Sequence, residues 1–597
     1  MTPHTAEVLS TALAHHQAGE LAVAEQLYRQ VLAENPGNAE AWHLMGALCI
    51  QSGRPIEAVD FIGRAIAIQP ANPDYYNHLG AAHGALGHHD EAIANLRRAV
   101  ELAPQSAPGH YNLGTALRNG GLLEEAVASF RSSVALNPNA AEAHYNLANT
   151  LRELKRLIEA EASYRAALRA RPNYMKAMIN LANVLHGLEK TDEAITLLRS
   201  AVSLDPNYAN AQLNLGTTLR DRGELDEAVE YLRRAVALEP NAAEAHNNLG
   251  TVLQGLGRYE EAADCYERAI ACDPSFPDAH FGRAVYRLRR GDLAGGFAEY
   301  EWRWKCSGFS ERPFSQPRWD GSPLEGRNLL LYAEQGLGDT LQFVRFAALA
   351  KRLGARVIVE CQKPLLNILA SSTSIDQLVV LGSPLPEFHV HAPLMSLPGI
   401  LNLSLDNLWS EPYLSADAQL VEYWRGVLAE HPGYRIGVCW QGNPKNLFDR
   451  QRSFGIERLA RLTQIPGVRL VSLQKANACE PMEPAGFELV DLGPQLDEAS
   501  GPFMDTAAVM KNLDLVITAD TSIAHLAGAL GVNVWVPLAA NCDWRWMMDR
   551  DDMPWYPTMR FFRQQKLNEW NDVFERVAAA LEQLIATTYK SSSQTVR

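Results

Sequence analysis

Eight prolines recur at a constant interval of 34 residues across the first half of this chain: Pro36, Pro70, Pro104, Pro138, Pro172, Pro206, Pro240 and Pro274. Small residues recur at the same interval, with alanine at every step from Ala24 to Ala262 and glycine or alanine at every step from Ala12 to Gly250. A chain with this period repeats one helix pair, which buries its apolar faces by stacking on its neighbours. The interval therefore predicts an extended helical repeat array.

The turn between the two helices of each unit carries glycine in six of the eight units, as a helix C-cap with positive φ requires. These glycines are Gly19, Gly53, Gly87, Gly121, Gly223 and Gly257. The combined pattern resembles the tetratricopeptide repeat, whose superhelix usually holds polypeptide on its concave side. We expect eight units over residues 1–276, then a degraded ninth unit and a linker over residues 277–325.

Beyond about Phe309 the period ends, and short apolar runs alternate with helical stretches. This alternation predicts parallel α/β layers. A segment near 415–433 divides the runs into two sets, which indicates two doubly wound, Rossmann-like lobes over 326–430 and 431–597 with a cleft between them. Ligands bind at the carboxyl ends of strands in such sheets. The predicted strands are Asn328–Tyr332, Arg356–Cys361, Gln377–Leu381, Arg435–Trp440, Arg469–Leu473, Leu513–Thr518 and Val532–Val536.

Charge and composition exclude several classes of protein. A net charge of −15 argues against sequence-independent nucleic-acid binding, because phosphate neutralisation needs clustered Lys and Arg. The eight cysteines form no CxxC pair and no metal spacing, which favours reduced, buried thiols. We expect no membrane span and a cytoplasmic protein, because no run of 18 apolar residues occurs and the N-terminus lacks a signal-peptide pattern.

Two strand-to-helix junctions carry polar residues suited to chemistry. The first contains Gly336 and Gly338, which permit a tight turn, and Asp339 at the start of a helix. Asp339 is either a helix N-cap, with Gln342 completing a capping box, or a general base at the mouth of the cleft.

At the second junction, Thr521 and Ser522 open a helix after a hydrophobic strand. Backbone N–H groups, hydroxyls and the helix dipole there favour a diphosphate. Asp520 would cap the helix or accept hydrogen bonds from sugar hydroxyls. His525, one turn further on, is either a packed core residue or part of the donor site.

Residues 326–564 resemble the heptosyltransferase-related glycosyltransferases of the GT-B fold. The resemblance is carried by EQGLGDTLQFVRF, WQGNPKN with RSF, ITADTSIAHLAGALG and DWRWMMDRDDMPWYPTMRFFRQ. It implies that Asp339 deprotonates the acceptor hydroxyl, and that a nucleotide-sugar, with no resident cofactor and no metal, is the donor. The donor-binding residues implied are Gly336, Gly338, Gln441, Lys445, Arg452, Asp520, Thr521, Ser522 and His525.

Other acidic and aromatic residues near the end of this region have two interpretations each. The triplet Asp549-Arg550-Asp551 formally matches a DxD metal motif, but its late position in a Trp-rich loop indicates surface charge. The aromatic residues of that loop either stack on a nucleotide base or close the cleft between the lobes. They are Trp544, Trp546, Trp555 and Tyr556.

The repeats carry asparagine at one position in five consecutive units: Asn112, Asn146, Asn180, Asn214 and Asn248. At about 100° per residue, this position points away from the apolar face. Asparagine costs roughly 0.5 kcal/mol relative to alanine in a helix, so the row implies a use. Each amide either bonds an extended peptide backbone, as the asparagines in the similar repeats of the O-linked N-acetylglucosamine transferase do, or bonds the neighbouring repeat and stiffens the stack.

Together these features predict a metal-independent protein O-glycosyltransferase. The repeats, which also resemble those of bacterial flagellin glycosyltransferases, would hold a polypeptide acceptor, with flagellin as the first choice, and the lobes would transfer sugar to Ser or Thr. The alternatives are a glycosyltransferase with a glycan or lipid-linked acceptor, whose repeats serve assembly, and a non-catalytic repeat scaffold.

Overall fold

The computed structural model describes residues 3–443, 449–475, 486–493, 495–566 and 569–594. The chain divides into two compact units, Met1–Pro240 and Asn241–Arg597. Within the described residues, no helix is long and apolar enough to cross a membrane.

The first compact part of the chain, Met1–Pro240, is a stack of helix pairs. Each pair occupies one 34-residue period, and both helices have nearly constant lengths of 13 to 15 residues. The helices are α1 (Pro3–Gln17), α2 (Leu21–Glu34), α3 (Ala39–Gln51), α4 (Pro55–Ile68), α5 (Pro73–Ala85), α6 (His89–Leu102), α7 (Ala107–Asn119), α8 (Leu123–Leu136), α9 (Ala141–Glu153), α10 (Leu157–Ala170), α11 (Met175–Gly187), α12 (Thr191–Leu204), α13 (Ala209–Arg222) and α14 (Leu225–Leu238).

The recurring small residues lie where helices touch, as the period predicts. The recurring alanines from Ala24 to Ala262 are at most 1% exposed. At the recurring glycines the approach is closer still: a Cβ on Gly46 would lie 2.4 Å from Ile62, and one on Gly114 would lie 2.8 Å from Phe130. No side chain fits there without moving a neighbour, because interiors are close-packed.

The turns within the pairs adopt left-handed backbone conformations throughout the eight units. The turn glycines confirm the prediction, with φ between 72° and 89°. Two units place a residue with a side chain at the same position: Lys155 has φ 61° and Glu189 has φ 62°. A left-handed residue with a Cβ costs roughly 1–2 kcal/mol, so these two turns store strain that the other six avoid.

The second compact part of the chain, Asn241–Arg597, begins with two further helix pairs. They comprise α15 (Ala243–Gly255), α16 (Tyr259–Cys272), α17 (Pro277–Arg289) and the short α18 (Leu293–Tyr300), followed by a 3₁₀ turn over Glu301–Lys305. The degraded ninth unit is therefore a true helix pair with a shortened second helix. Gly296 replaces the usual alanine because even a Cβ there would lie 2.6 Å from Leu288.

Two parallel sheets follow and confirm the expected pair of α/β lobes. The first sheet contains β1 (Asn328–Tyr332), β2 (Arg356–Cys361), β3 (Gln377–Val380) and β4 (Val390–Pro393), in the order β3-β2-β1-β4. The second contains β5 (Tyr434–Cys439), β6 (Val468–Ser472), β7 (Leu515–Thr518), β8 (Val534–Leu538) and β9 (Met559–Arg563), in the order β6-β5-β7-β8-β9.

The helices of the lobes connect these strands. In the first lobe they are α19 (Leu337–Phe343), α20 (Ala347–Arg352), α21 (Leu366–Leu369) and α22 (Leu397–Ile400). In the second they are α23 (Ala418–Ala429), α24 (Asp449–Arg452), α25 (Ala460–Thr463), α26 (Met504–Met510), α27 (Ser522–Ala529) and α28 (Asn571–Gln594).

Sequence analysis missed two strands, β4 and β9. The short β4 contains His391 and ends at Pro393, and β9 has an arginine at its second and last positions. Neither segment shows the continuous apolar run of a buried parallel strand, because their charged and cyclic residues interrupt it.

Candidate functional site

A cavity of about 910 Å³ lies at the carboxyl ends of β1, β5, β7 and β8, between the two lobes and beside α15. It gathers Asp339 and all but one of the donor-binding residues expected from the sequence: Gly336, Gly338, Gln441, Arg452, Asp520, Thr521, Ser522 and His525. The remaining expected donor residue, Lys445, lies outside the described residues.

Asp339 occupies the third position of α19, not its N-cap. The N-cap is Gly336, whose backbone N–H donates to Asp339 Oδ2 at 2.8 Å. The expected capping box is therefore corrected: Asp339 caps backward toward Gly336, and Gln342 is completely buried in the lobe instead of completing a box. The cap uses one of the two carboxylate oxygens of Asp339.

The second oxygen of Asp339 meets a buried arginine. Arg545 Nη2 lies 2.5 Å from Asp339 Oδ1, and Arg545 Nη1 lies 2.8 Å from Asp543 Oδ1. Trp544 covers the guanidinium, with its ring centroid 4.4 Å from the Arg545 Cζ atom. Arg545 thus bridges two carboxylates that border the cavity.

Burial and charge oppose each other at these groups. Burial raises the pKa of Asp339, and the Arg545 guanidinium counteracts part of that rise. Burial also tends to raise the pKa of Asp543, but the charge and hydrogen bonds of Arg545 hold that pKa below its usual value. Asp339 is therefore the more basic of the two carboxylates, which is the property that a general base requires.

The second junction is the expected strand followed by a helix, but the expectation that Asp520 caps this helix is wrong, because Thr521 does so. β7 ends at Thr518, and Thr521 is the N-cap of α27, its hydroxyl accepting from the Ile523 N–H at 3.3 Å. Asp520 borders the cavity at the same junction, where burial, and after it the charge of Asp543, raises the pKa of its carboxyl to about 6.

Arg452, the last residue of α24, lies close to this helix start. A Cβ on Gly442 would be 3.0 Å from Arg452 Nη2 and 3.4 Å from Thr521 Cγ2. The loop after β5 therefore passes between the arginine and the first turn of α27. A guanidinium beside a helix N-terminus is suited to bind phosphate oxygens.

His525 packs against the first junction. A Cβ on Gly338 would lie 2.8 Å from His525 Cδ2, so the glycine is required for α19 to approach α27. The imidazole stacks on Trp546 at 4.9 Å, and its Nδ1 bonds the Tyr556 hydroxyl at 3.2 Å. Burial, and after it Arg545, lowers the pKa of His525 to about 3. Such a weak base is unsuited to remove a hydroxyl proton.

Two roles were expected for the aromatic residues of the Trp-rich loop, stacking on a base or closing the cleft. They close the cleft between the lobes. Trp544, Trp546, Trp555 and Tyr556 are buried within the lobes. Trp555 of the second lobe meets Phe343 of α19 in the first lobe edge to face at 6.1 Å. Because their faces are covered by protein, the base-stacking interpretation is wrong for this cluster.

The exposed acidic triplet behaves as surface charge. Asp549 is exposed and pairs with Arg290 at 3.1 Å, and Arg550 pairs with Asp552 at 2.7 Å. In the ranges that the structure describes, no group of three or more His, Cys, Asp or Glu residues could hold a metal ion.

The asparagine row is not uniform. Asn146 donates to the Tyr111 hydroxyl at 2.8 Å, and Asn180 donates to the Tyr145 hydroxyl at 3.2 Å, each across one repeat. Asn214 donates to a backbone carbonyl of its own helix. The two members at the ends differ as well: Asn112 is exposed and Asn248 is buried. Bonds between neighbouring repeats therefore account for two members of the row.

The cavity lining also includes residues that sequence analysis did not select, among them Gln254, Asn541, Asp543 and Arg545. Asp543 and Arg545 fall in the DWRW segment of the resemblance, which is the signal that could have identified them. Gln254 lies in a repeat, where the period draws attention to the recurring positions and this residue is not one of them.

Models of the tetratricopeptide repeat match residues 15–81, 78–141, 111–174, 174–238, 213–275 and 247–301, so repeats of this kind extend throughout the first 300 or so residues. Protein FlbA of Caulobacter vibrioides is 28% identical over 336 residues, 51% of this chain and 55% of FlbA. The chain thus spans about half the length of this curated relative.

Two solved repeat proteins are similar to part of the chain. YrrB, described as a TPR protein with an unusual peptide-binding site, is 28% identical with a TM-score of 0.27. The match covers 31% of this chain and 95% of the YrrB chain. TTC0263, a thermophilic TPR protein of Thermus thermophilus, is 25% identical, with a TM-score of 0.26, covering 30% of this chain and 98% of its own.

Proposed function

We propose that this protein is a glycosyltransferase that transfers sugar from a nucleotide-sugar to Ser or Thr of a polypeptide. The observation that carries the proposal is the shared cavity: Asp339 from one lobe faces the same space as the start of α27 and Arg452 from the other. A transferase of this kind needs a base for the acceptor and a cationic site for the departing phosphate, and the proposal assigns these roles to Asp339 and to Arg452 with the start of α27.

In the proposed reaction, the acceptor hydroxyl oxygen forms a bond to the anomeric carbon as the bond from that carbon to the phosphate oxygen breaks. The bonding electrons leave with the nucleotide, and the hydroxyl proton moves to Asp339. Thr521, Ser522 and Arg452 bind the phosphate charge that develops, so no metal ion is required.

Arg545 has a separate part in this scheme. Its ion pair with Asp339 fixes the direction of the carboxylate, while the bond to Asp543 fixes the arginine. A positioned base contributes on the order of 10²–10⁴ in rate, and a carboxylate held at two oxygens is positioned before substrate binds.

The polypeptide acceptor is proposed because the chain devotes its first 300 or so residues to repeats that commonly bind protein. Flagellin is our first choice of acceptor. The exposed Asn112 is the member of the asparagine row best placed to meet a peptide, since Asn146 and Asn180 already bond neighbouring repeats.

The purified protein should be incubated with unmodified flagellin and, in separate reactions, with UDP-, GDP-, ADP- and CMP-linked sugars. We expect a mass increase of one or more sugars on flagellin in at least one reaction, and the same increase with EDTA present. Sugar transfer to a glycan but to no polypeptide would contradict the proposed acceptor. Loss of transfer in EDTA that Mg²⁺ or Mn²⁺ restores would contradict the proposed phosphate site.

A further inference from the structure

The helix α15, which belongs to the last full repeat, forms part of the cavity wall. Gln254, one residue before the end of this helix, faces the cavity beside residues of both lobes. Its environment differs from that of the donor-binding residues, which all come from the α/β lobes. The repeats therefore contribute a side chain directly to the site of chemistry.

The amide of Gln254 has a fixed orientation. The Tyr266 hydroxyl donates to its Oε1 at 3.0 Å. Tyr266 is 2% exposed and lies between two glycines, where a Cβ on Gly250 would be 2.9 Å and one on Gly282 would be 2.5 Å from its ring. Because the tyrosine cannot shift, the oxygen end of the Gln254 amide is held and the Nε2 end is directed away from it.

The wall around Gln254 is also held in place. Tyr259 donates its hydroxyl hydrogen to Asn541 Oδ1 at 2.8 Å, and Asn541 Nδ2 donates to the Gly255 carbonyl at 3.3 Å. The buried Arg289 donates to the Tyr259 hydroxyl at 3.0 Å. These bonds join the end of α15 to the loop that leads to Arg545, so the position of Gln254 relative to the site is set.

Gln254 Nε2 makes no hydrogen bond within the parts of the chain that the structure describes. It therefore presents two N–H donors and no acceptor to the cavity, because the oxygen is engaged by Tyr266. A peptide carbonyl complements such a group, since it accepts hydrogen bonds and donates none. The donor phosphates, by contrast, have their own cationic and helix N-terminal partners.

We propose that Gln254 donates a hydrogen bond to a backbone carbonyl of the acceptor polypeptide next to the reacting hydroxyl. This inference rests on the proposed function. It makes Gln254 a positioning residue: it aligns the acceptor with Asp339 through the polypeptide backbone and reads no side chain, so it serves any acceptor sequence.

Three variants separate this role from a structural one. Gln254→Glu keeps an oxygen for Tyr266 but replaces the donor nitrogen, Gln254→Met removes both, and Tyr266→Phe removes only the anchor. Gln583→Glu, at an exposed position of α28, is the matched control for the added charge. Acceptor KM, donor KM and hydrolysis of the nucleotide-sugar are measured with flagellin and the donor that supports transfer.

We expect Gln254→Met and Gln254→Glu each to raise the KM for flagellin about three- to tenfold, the fold-change of one lost hydrogen bond. Tyr266→Phe should raise it less, and donor KM and hydrolysis should stay within twofold of the wild type for Gln254→Met. Wild-type behaviour of Gln254→Glu, together with equal losses in Gln254→Met and Tyr266→Phe, would mean that the amide only anchors Tyr266.

Two further outcomes would contradict the role proposed for Gln254, each for a different reason. A raised donor KM in Gln254→Met with an unchanged flagellin KM would place the amide on the sugar. Absence of transfer by the wild-type protein to any polypeptide would contradict the proposed function, whereas transfer that is insensitive to Gln254→Met and Gln254→Glu would contradict only this inference.

Discussion

Replacing Asp339 by asparagine tests both the chemistry and the ion pair at the centre of the site. Asparagine keeps an oxygen for the Gly336 N–H but cannot take up a proton or neutralise Arg545. We therefore expect two separate effects, a loss of transfer and a loss of stability, whose sizes follow from different contacts.

The loss of stability is set by Arg545. Removing one partner of a buried ion pair costs about 3–5 kcal/mol, but Arg545 keeps its bond to Asp543, so we expect roughly half of that, about 2 kcal/mol. At about 2–4 °C per kcal/mol for a large unit, the melting temperature should fall by roughly 4–8 °C. Calorimetry measures this fall, and nucleotide binding shows that the variant is folded.

The loss of transfer should be about a hundredfold or more, because the proton acceptor is gone. Asp543→Asn is the matched control, since it removes the other carboxylate from Arg545 and should cost similar stability. Its transfer rate should stay within about tenfold of the wild type. If the Asp339 and Asp543 variants lose transfer equally, Asp339 acts only as a partner of Arg545 and the base lies elsewhere.

Three further predictions concern pH and backbone strain. Arg545→Met removes the charge that lowers the pKa of Asp339, so the acid limb of the kcat/KM profile should move to higher pH; an unmoved limb would exclude Asp339 as the titrating base. Burial raises the pKa of Asp520 to about 6, so ionisation of this carboxyl opposes folding. The free energy of unfolding of the wild type relative to Asp520→Asn should therefore be greatest at about pH 4 and below, and it should fall as the pH rises through 6. At about 1.36 kcal/mol per pKa unit, this relative free energy, measured by urea unfolding, should be higher at pH 4 than at pH 8 by at most about 3 kcal/mol. The same relative free energy at both pH values would refute the prediction. Lys155→Gly and Glu189→Gly should each stabilise the repeats by about 0.5–1 kcal/mol, since relief of the left-handed strain exceeds the entropy cost of glycine; a lower melting temperature would show that the two side chains outweigh the strain.

The repeat half was predictable from sequence because its constraints are local and periodic. Alanine and glycine recur where helices touch, and the turn glycines where φ is positive, so each residue type reports its own environment. The asparagine row shows the limit of that reasoning. The tyrosines that bond Asn146 and Asn180 stand 35 residues earlier, and one recurring position alone does not reveal a partner in the preceding repeat.

The site was predictable only in part, because its parts come together through tertiary structure. Asp339 and the start of α27 follow strands, and the resemblance selected them. Arg545 pairs with a carboxylate more than 200 residues away, and no local pattern gives such a pairing. Trp546 and Trp555 were open to two interpretations because an aromatic residue in a loop has the same sequence signature whether it is buried or accessible.

The bonds between the end of α15 and the loop at Asn541 have a consequence for how such proteins diversify. Whole units upstream of Asn241 could be gained, lost or exchanged between relatives without altering the wall of the cavity. An exchange one period later, at Pro274, would replace Gln254 and Tyr259 and disturb the loop that supports Arg545. Recombination at Pro240 would therefore exchange the upstream repeats and keep the residues that line the cavity, and chimaeras joined there would test whether the proposed acceptor range follows the repeats.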